Sequence, residues 1–179
     1  MKYIILLLLS LNVFADSEVN VSYLRVNQTL EFKDPIRFKM DALQIGYTYW
    51  SSYGLGLKLM VARSTEAANS VYIDKDYRNV IHSLWQAQIA YKYEVNEKLS
   101  LIAAIGATEY NSTWRVDGVE PSWSKGSDSH TPSWSVGFQY DIEPNVKIEA
   151  MYNYMYYKDK EGYGIETTDA LGVGLVYTF

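Results

Sequence analysis

The strongest constraint on the fold is a strict alternation of apolar residues with small or polar ones. In the last segment, the apolar set is Leu171, Val173, Leu175, Tyr177 and Phe179, and the residues between them are mostly small. A period of two places alternate side chains on opposite faces of a β-strand. Eight segments of this kind follow one another, at residues 19–24, 43–50, 54–61, 85–93, 99–106, 133–140, 146–154 and 170–179. The chain is therefore predicted to be an all-β protein of eight strands.

The connections between these segments alternate between short and long. Short turns are predicted at residues 51–52, 95–97 and 143–145, and long polar stretches cover residues 28–37, 66–80, 111–131 and 158–168. Short turns on one side and long loops on the other are typical of outer-membrane barrels, whose strands need about 9–11 residues to cross. An even number of strands places both termini on the side of the short turns. These features predict an eight-stranded antiparallel up-and-down transmembrane β-barrel.

The first fifteen residues have the composition of a secretory signal peptide. Lys2 supplies a positive start, residues 4–11 are almost entirely apolar, and Val13 and Ala15 are the small residues that a signal peptidase reads. A helical anchor would need about 20 apolar residues, so this run is too short to span a membrane. We predict a cleaved signal peptide over residues 1–15 and an outer-membrane barrel domain over residues 16–179.

Composition narrows the function classes. The 179 residues are 48% hydrophobic and 21% charged, which excludes a disordered chain and a polytopic helical membrane protein. There is no Cys, so disulfides, thiolate metal sites and a Cys nucleophile are excluded. The net charge of -5 argues against a nucleic-acid partner. Aromatic residues lie at both ends of the apolar faces, as in the aromatic girdles of membrane barrels. At the periplasmic ends these are Tyr49, Tyr91, Tyr93, Tyr140, Tyr177 and Phe179, and at the other ends they are Trp85, Trp134, Tyr154 and Tyr156.

The end of the chain carries a family resemblance. The pattern Leu175-x-Tyr177-x-Phe179 and the segment 136–146 resemble the eight-stranded outer-membrane barrel family of the OmpA transmembrane domain and OmpX. The resemblance covers residues 16–179, although the first strand lacks the family's glycine-rich opening. It implies that Leu175, Tyr177 and Phe179 form the signal read by the barrel-assembly machinery. It also implies a monomer in a Gram-negative outer membrane, in contact with outer-membrane lipid and lipopolysaccharide.

The inward face carries charged residues near the periplasmic ends of the strands. An eight-stranded barrel encloses a lumen only wide enough for side chains, and unpaired charges there would be costly, so these residues are expected to pair. We interpret them as an ionic plug with negligible conductance, and the alternative is a gate that opens when partners exchange. The predicted luminal layer is Lys58, Lys92, Glu94, Asp141, Lys147 and Glu149.

The third predicted loop contains the most informative exposed residues. Asp117 and Gly118 between β-forming residues predict a hairpin turn that extends the fifth strand beyond the membrane. Exposed aromatic residues with neighbouring cations are either anchors for a binding partner or an outer girdle that faces the phosphates of lipopolysaccharide. These residues are Trp114, Arg115, Trp123 and Lys125.

The sequence offers little for catalysis. Some barrels of this size modify lipid A, and His82 beside Ser83 and the run from Asp128 to His130 are the only candidates for such chemistry. Adjacent residues on a strand point to opposite faces, so His82 and Ser83 would make a poor dyad. We predict no catalytic residue, no metal site and no cofactor.

The function we expect is non-enzymatic. A barrel with a plugged lumen would act in envelope integrity, or in surface interaction and adhesion through its extracellular loops. Its host or surface ligand is not identified by the sequence. A lipid A-modifying enzyme and a narrow channel for small solutes or ions are the alternatives.

Overall fold

A computed structural model describes residues 16–30, 36–72, 75–117, 123–158 and 165–179. The predicted signal peptide lies outside the described residues. The described part is built from β-strands: β1 (Asp16–Leu30), β2 (Ile36–Trp50), β3 (Leu55–Ser64), β4 (Ala68–Tyr72), β5 (Lys75–Glu94), β6 (Leu99–Asp117), β7 (Trp123–Glu143), β8 (Val146–Lys158) and β9 (Ile165–Thr178).

The strands form one closed antiparallel sheet. Neighbours in sequence are paired, with the exception of β3 and β4, and β1 also pairs with β9, which joins the two ends of the chain. Both β3 and β4 pair with β5, so they are two pieces of one barrel strand separated by residues 65–67. The prediction of an eight-stranded up-and-down barrel is confirmed.

The register fixes how steeply the strands are inclined. A path drawn from partner to partner around the barrel leaves β1 at Glu18 and returns to β1 at Gln28, ten residues further along. The path passes through Thr48, Lys58, Gln88, Gly106, Ser133, Met155 and Thr168. A stagger of this size in an eight-stranded barrel corresponds to a tilt of roughly 35–45° and an interior that side chains can fill.

The predicted division into two faces is also confirmed. On β9, Leu171 and Leu175 expose more than half of their surface, whereas Val176 and Ala170 are 1% exposed. The exposed outward positions form a belt rich in Leu, Ile, Val and Tyr, the composition that a lipid-facing surface needs. The described part of the chain contains no helix long and apolar enough to cross a membrane.

The first short turn explains one glycine. The turn at residues 51–54 is longer than predicted, and Gly54 adopts a φ of 77°. A Cβ at this position would lie 2.5 Å from the carbonyl oxygen of Lys92. Glycine is therefore required here both by the left-handed backbone and by the close approach of β5.

At the end of the barrel opposite the short turns, the strands are longer than the sequence predicts. Residues 66–80 and 111–131 were expected to be loops, but β4, β5, β6 and β7 occupy much of both stretches. The extension of the fifth barrel strand is confirmed, but the tight turn at Asp117 and Gly118 is wrong, because Val116 pairs with Trp123. The strands continue to pair beyond the apolar belt. Neither of their faces is apolar there, so the alternation used for the prediction does not reveal them.

Candidate functional site

The inner half of the lumen is organised around the carboxylate of Glu18, which is 1% exposed. Its Oε1 accepts hydrogen bonds from Lys92 Nζ at 2.8 Å and from Lys147 Nζ at 2.9 Å. Its Oε2 accepts hydrogen bonds from Trp50 Nε1 at 2.7 Å and from Gln139 Nε2 at 3.0 Å. Four strands besides β1 thus contribute a donor to one buried carboxylate.

A second carboxylate, that of Glu149, is bound in the same way. Lys58 Nζ lies 3.0 Å from both of its oxygens, and the two side chains are 1% and 4% exposed. Asn20 Nδ2 donates to Oε1 at 2.9 Å, and Gln139 Nε2 donates to Oε2 at 3.0 Å. Because Gln139 donates to both carboxylates, the two groups form one connected cluster.

The charges in this cluster are balanced. Asp141 Oδ1 lies 3.9 Å from Lys147 Nζ, so three ammonium groups face three carboxylates. The ammonium of Lys92 also lies 4.4 Å from the centre of the Trp50 ring, within the range of a cation–π contact. We call this cluster the luminal ionic network; it comprises Glu18, Asn20, Trp50, Lys58, Lys92, Gln139, Asp141, Lys147 and Glu149.

Four of the six predicted luminal residues lie inside the lumen, and the other two lie at its edge or beyond it. Lys58, Lys92, Lys147 and Glu149 lie inside the lumen, whereas the Asp141 side chain is 40% exposed at its edge. Glu94 is exposed at the last position of β5, beyond the part of the lumen that is enclosed, and it makes no ion pair with another described residue.

The sequence analysis did not predict Glu18, the carboxylate at the centre of the luminal ionic network. Glu18 has the same parity as the inward residues Asn20 and Ser22, so its direction could have been predicted. It was missed because the apolar alternation that defined the first segment begins only at Val19.

The middle of the lumen is filled by neutral polar groups. Gln88 donates to Ser133 Oγ at 3.2 Å and accepts from Ser135 Oγ at 2.7 Å. Gln86 donates to Thr108 Oγ1 at 3.1 Å. In this part of the lumen, amide and hydroxyl groups therefore form hydrogen bonds with one another, and these bonds do not involve charged side chains.

The outer half of the lumen contains a cluster of buried apolar side chains, which the sequence analysis did not predict, together with buried polar residues such as Gln28 and Thr168. The cavity bordered by this cluster measures only about 10 Å³, at or below the space that one water molecule needs. We call this group the outer apolar plug; it contains Leu24, Val26, Phe38, Met40, Ala42, Ala62, Ile81, Leu84, Met155 and Ala170.

The residues of the predicted assembly signal lie on the outward face at the end of the chain. Leu175, Tyr177 and Phe179 are 57%, 46% and 71% exposed. The Tyr177 and Phe179 rings meet edge to face with centroids 5.0 Å apart, and the Phe179 amide donates to the Ser17 carbonyl at 2.9 Å. The C-terminal residue is thus joined to the start of β1, while its ring stays accessible.

The predicted recognition residues fall on the outer hairpin of β6 and β7. The register places Trp114 opposite Lys125, and Arg115 opposite Ser124. The side chains of Trp114, Arg115, Trp123 and Lys125 lie outside the described residues, so their use in binding stays a prediction.

The candidates for catalysis are not assembled into a described site. His82 is exposed and Ser83 is half-buried at an irregularity where Ile81 pairs with Ser112 and Ser83 with Asn111. The side chains of Asp128, Ser129 and His130 lie outside the described residues. Among described residues, no group of three or more His, Asp or Glu side chains is arranged to hold a metal ion.

A small closed barrel with a lipid-compatible outer belt is the fold of one class of integral membrane protein. Solved structures share the fold at low sequence identity. Ail, the attachment invasion locus protein of Yersinia pestis, is 16% identical with a TM-score of 0.60; 92% of this chain and 99% of Ail are covered, in a complex with the heparin analogue sucrose octasulfate. Neisserial surface protein A is 15% identical with a TM-score of 0.64, and the match covers 91% of this chain and 97% of that protein. The N-terminal barrel domain of Pseudomonas aeruginosa OprF is 14% identical with a TM-score of 0.54, and the match covers 88% of this chain and 97% of that domain.

The family model for the outer membrane protein beta-barrel domain matches residues 4–179, and the chain belongs to this family. A comparison with curated protein sequences found no significant match. Family membership and the structural neighbours indicate the bacterial outer membrane as the location of the protein.

Proposed function

We propose that the protein is a non-enzymatic, non-conducting outer-membrane barrel that acts at the cell surface, in adhesion or another surface interaction, through its extracellular side. The observation that supports the proposal is the presence of two groups of buried side chains in the lumen. They are the luminal ionic network in the inner half and the outer apolar plug in the outer half.

An ion that crossed the barrel would meet two different barriers. It would first have to separate Lys58 from Glu149, two charges that are almost completely buried and held at 3.0 Å. Removing one partner of such a pair is expected to cost several kcal/mol, because the other charge stays buried. It would then have to pass between the packed side chains of the outer apolar plug, where the cavity measures about 10 Å³. Transport through the lumen is therefore disfavoured.

The outer ends of the strands provide the surface for interaction. β5, β6 and β7 have 20, 19 and 21 residues, about twice the roughly 9–11 that a membrane crossing requires. Paired backbone therefore continues well beyond the apolar belt and can present side chains on a firm support. Ail, an attachment protein with the same fold, supports this reading.

The proposal is tested by whole-cell binding. The protein would be produced in a Gram-negative host without its own adhesins, and adhesion to immobilised extracellular matrix and cultured cells would be measured. We expect binding above that of cells with an empty vector. Replacement of residues 114–125 by a short Gly/Ser turn should abolish it, whereas Glu94→Gln at the opposite end should leave it unchanged.

Equal binding by cells with and without the protein would contradict the surface role. Mass spectrometry of lipid A from the same cells tests the enzymatic alternative. A gain or loss of an acyl chain that depends on the protein would overturn the non-enzymatic assignment.

A further inference from the structure

The outer part of β7 is paired on one side only. Residues 123–132 pair with β6 without a register shift. On its other side, β7 pairs with β8 only as far as Ser133 and Met155. β8 continues to Lys158, where its partner is β9. No described residue therefore pairs with the side of β7 that faces away from β6 over residues 123–132, and we call this side the outer edge of β7.

The direction of the backbone groups in β7 follows from one hydrogen bond near its other end. The N–H of Asp141 donates to the carbonyl of Lys98, the residue before β6, at 2.8 Å. The backbone groups of successive residues in a strand point to opposite sides, and β6 and β7 stay in register from Tyr140 to Trp123. Odd-numbered residues of β7 therefore face β6, and even-numbered residues direct their N–H and C=O groups to the outer edge.

The position of Pro132 agrees with this direction. Proline lacks the N–H group, so within sheets it is found where a strand needs no donor on that side. Because Pro132 is even-numbered, it removes no hydrogen bond between β6 and β7. The backbone groups of the four other even-numbered residues form a row to which a further strand can be added; these residues are Ser124, Gly126, Asp128 and His130.

An extended polypeptide matches this row better than other occupants do. Donors and acceptors that alternate along a strand edge are matched by the backbone of another strand, which would continue the ladder of β7 and β8 outwards. In two copies of the chain in one membrane, both β7 strands run in the same direction, so they would pair in parallel, the slightly less stable arrangement. A segment of another protein can pair antiparallel.

An open groove of about 760 Å³ lies at the point where β7 and β8 separate. Pro132 and Trp134 line it from β7, and Tyr154 and Tyr156 line it from β8. The groove is on the outward face, where Trp134 and Tyr156 are each 41% exposed. A strand that runs antiparallel to β7 begins at this end of the outer edge, so its first residue would lie beside the groove. The lining is suited to an apolar or aromatic residue at that position.

We propose that an extended segment of a partner protein adds to the outer edge of β7 as an antiparallel strand, with an apolar residue at its start in the groove. The inference rests on the proposed surface function and states how the partner is bound. Backbone hydrogen bonds supply most of the affinity, and the groove selects the residue at the membrane end of the segment.

The outer edge is tested with two matched double variants of the purified protein in lipid nanodiscs. Gly126→Pro/Asp128→Pro removes two N–H groups from the outer edge and none that faces β6, whereas Gly126→Ala/Asp128→Ala keeps both. The probe is a soluble ten-residue peptide of alternating Thr and Lys that begins with Trp. We expect the Pro variant to bind the peptide at least about tenfold more weakly than wild type, since each hydrogen bond contributes about 1 kcal/mol. The Ala variant should bind as wild type.

Amide hydrogen exchange followed by NMR locates the bound peptide. Without peptide, the N–H groups of Gly126 and Asp128 should exchange faster than those of Ser127 and Ser129, which face β6. The peptide should slow the exchange of the first pair and leave the second pair unchanged. A peptide that begins with Ser in place of Trp should bind more weakly, because it leaves the groove without an apolar side chain.

Heat-modifiable gel migration verifies the folding of each variant, and Asp128→Pro compared with Asp128→Ala serves if the double Pro variant does not fold. Equal binding by the Pro and Ala variants, or exchange at Gly126 and Asp128 that the peptide does not slow, would overturn the proposal. The adhesion assay separates this result from the surface function. Equal adhesion of cells with the Pro and the Ala variant would refute strand addition and leave the surface function intact. Peptide binding without adhesion by wild-type cells would refute the surface function and leave the edge site intact.

Discussion

At the scale of single residues, two buried carboxylates hold the inner half of the lumen together. Glu18 accepts hydrogen bonds from four side chains, and Glu149 accepts from three. Gln139 links them, so that removing either carboxylate disturbs both. Buried charges of this kind are tolerated only when they are completely paired, which makes the network sensitive to any single loss.

The first prediction contrasts Glu18 with Glu94. Glu18→Gln leaves the ammonium groups of Lys92 and Lys147 without their shared carboxylate, and we expect it to lower the free energy of unfolding by about 3–5 kcal/mol. Glu94→Gln removes the same charge from an exposed position and should change stability little. Urea unfolding of the barrel in lipid vesicles measures both. Equal effects of the two substitutions would refute the central position of Glu18.

The second prediction concerns the coupling of Lys58 and Glu149. Lys58→Met and Glu149→Gln should each destabilise the barrel, because each leaves one buried charge without its partner. The double variant contains neither charge, so its loss of stability should be smaller than the sum of the two single losses by about 1–3 kcal/mol. Strict additivity in the same unfolding assay would mean that the ion pair does not contribute as a unit.

At the scale of elements, the strands are asymmetric about the membrane. The turn between β7 and β8 spans only residues 144–145, whereas β6 and β7 extend together as far as the pair Val116 and Trp123. The short turn was predicted correctly because Pro and Asn mark it. The extended hairpin was only partly predicted, because its strands have polar residues on both faces, and the period-two signal requires one apolar face.

The third prediction uses this asymmetry to establish orientation. An epitope inserted between residues 119 and 120 should be labelled by antibody on intact cells, because the long hairpin is expected to project outside. The same epitope between Pro144 and Asn145 should be labelled only after the outer membrane is permeabilised. The reverse pattern of labelling would show that the barrel is inserted the other way round.

At the scale of the whole molecule, the local sequence pattern predicts the strands but not the contacts that the closed barrel creates between distant residues. The number of barrel strands and the direction of the side chains within the apolar belt could be predicted, because both depend on neighbouring residues alone. The contacts across the lumen could not, because they depend on the stagger of ten residues around the barrel. Glu18 and Lys147 are 129 positions apart, and Lys58 and Glu149 are 91 apart, so a small change of register would separate them. The outer apolar plug was missed for the same reason, since inward apolar residues such as Phe38 and Met155 join only in the closed barrel.

The proposed function requires that ions cannot cross the lumen. The most direct test is electrical recording of the pure, refolded protein in planar lipid bilayers, with an open porin in the same lipid as the positive control. The closed network and the apolar plug predict a baseline without steady channel events over the range of voltages at which the porin conducts. Reproducible, well-resolved conductance steps that depend on the protein would contradict the claim, because they would require a continuous path of water through the barrel.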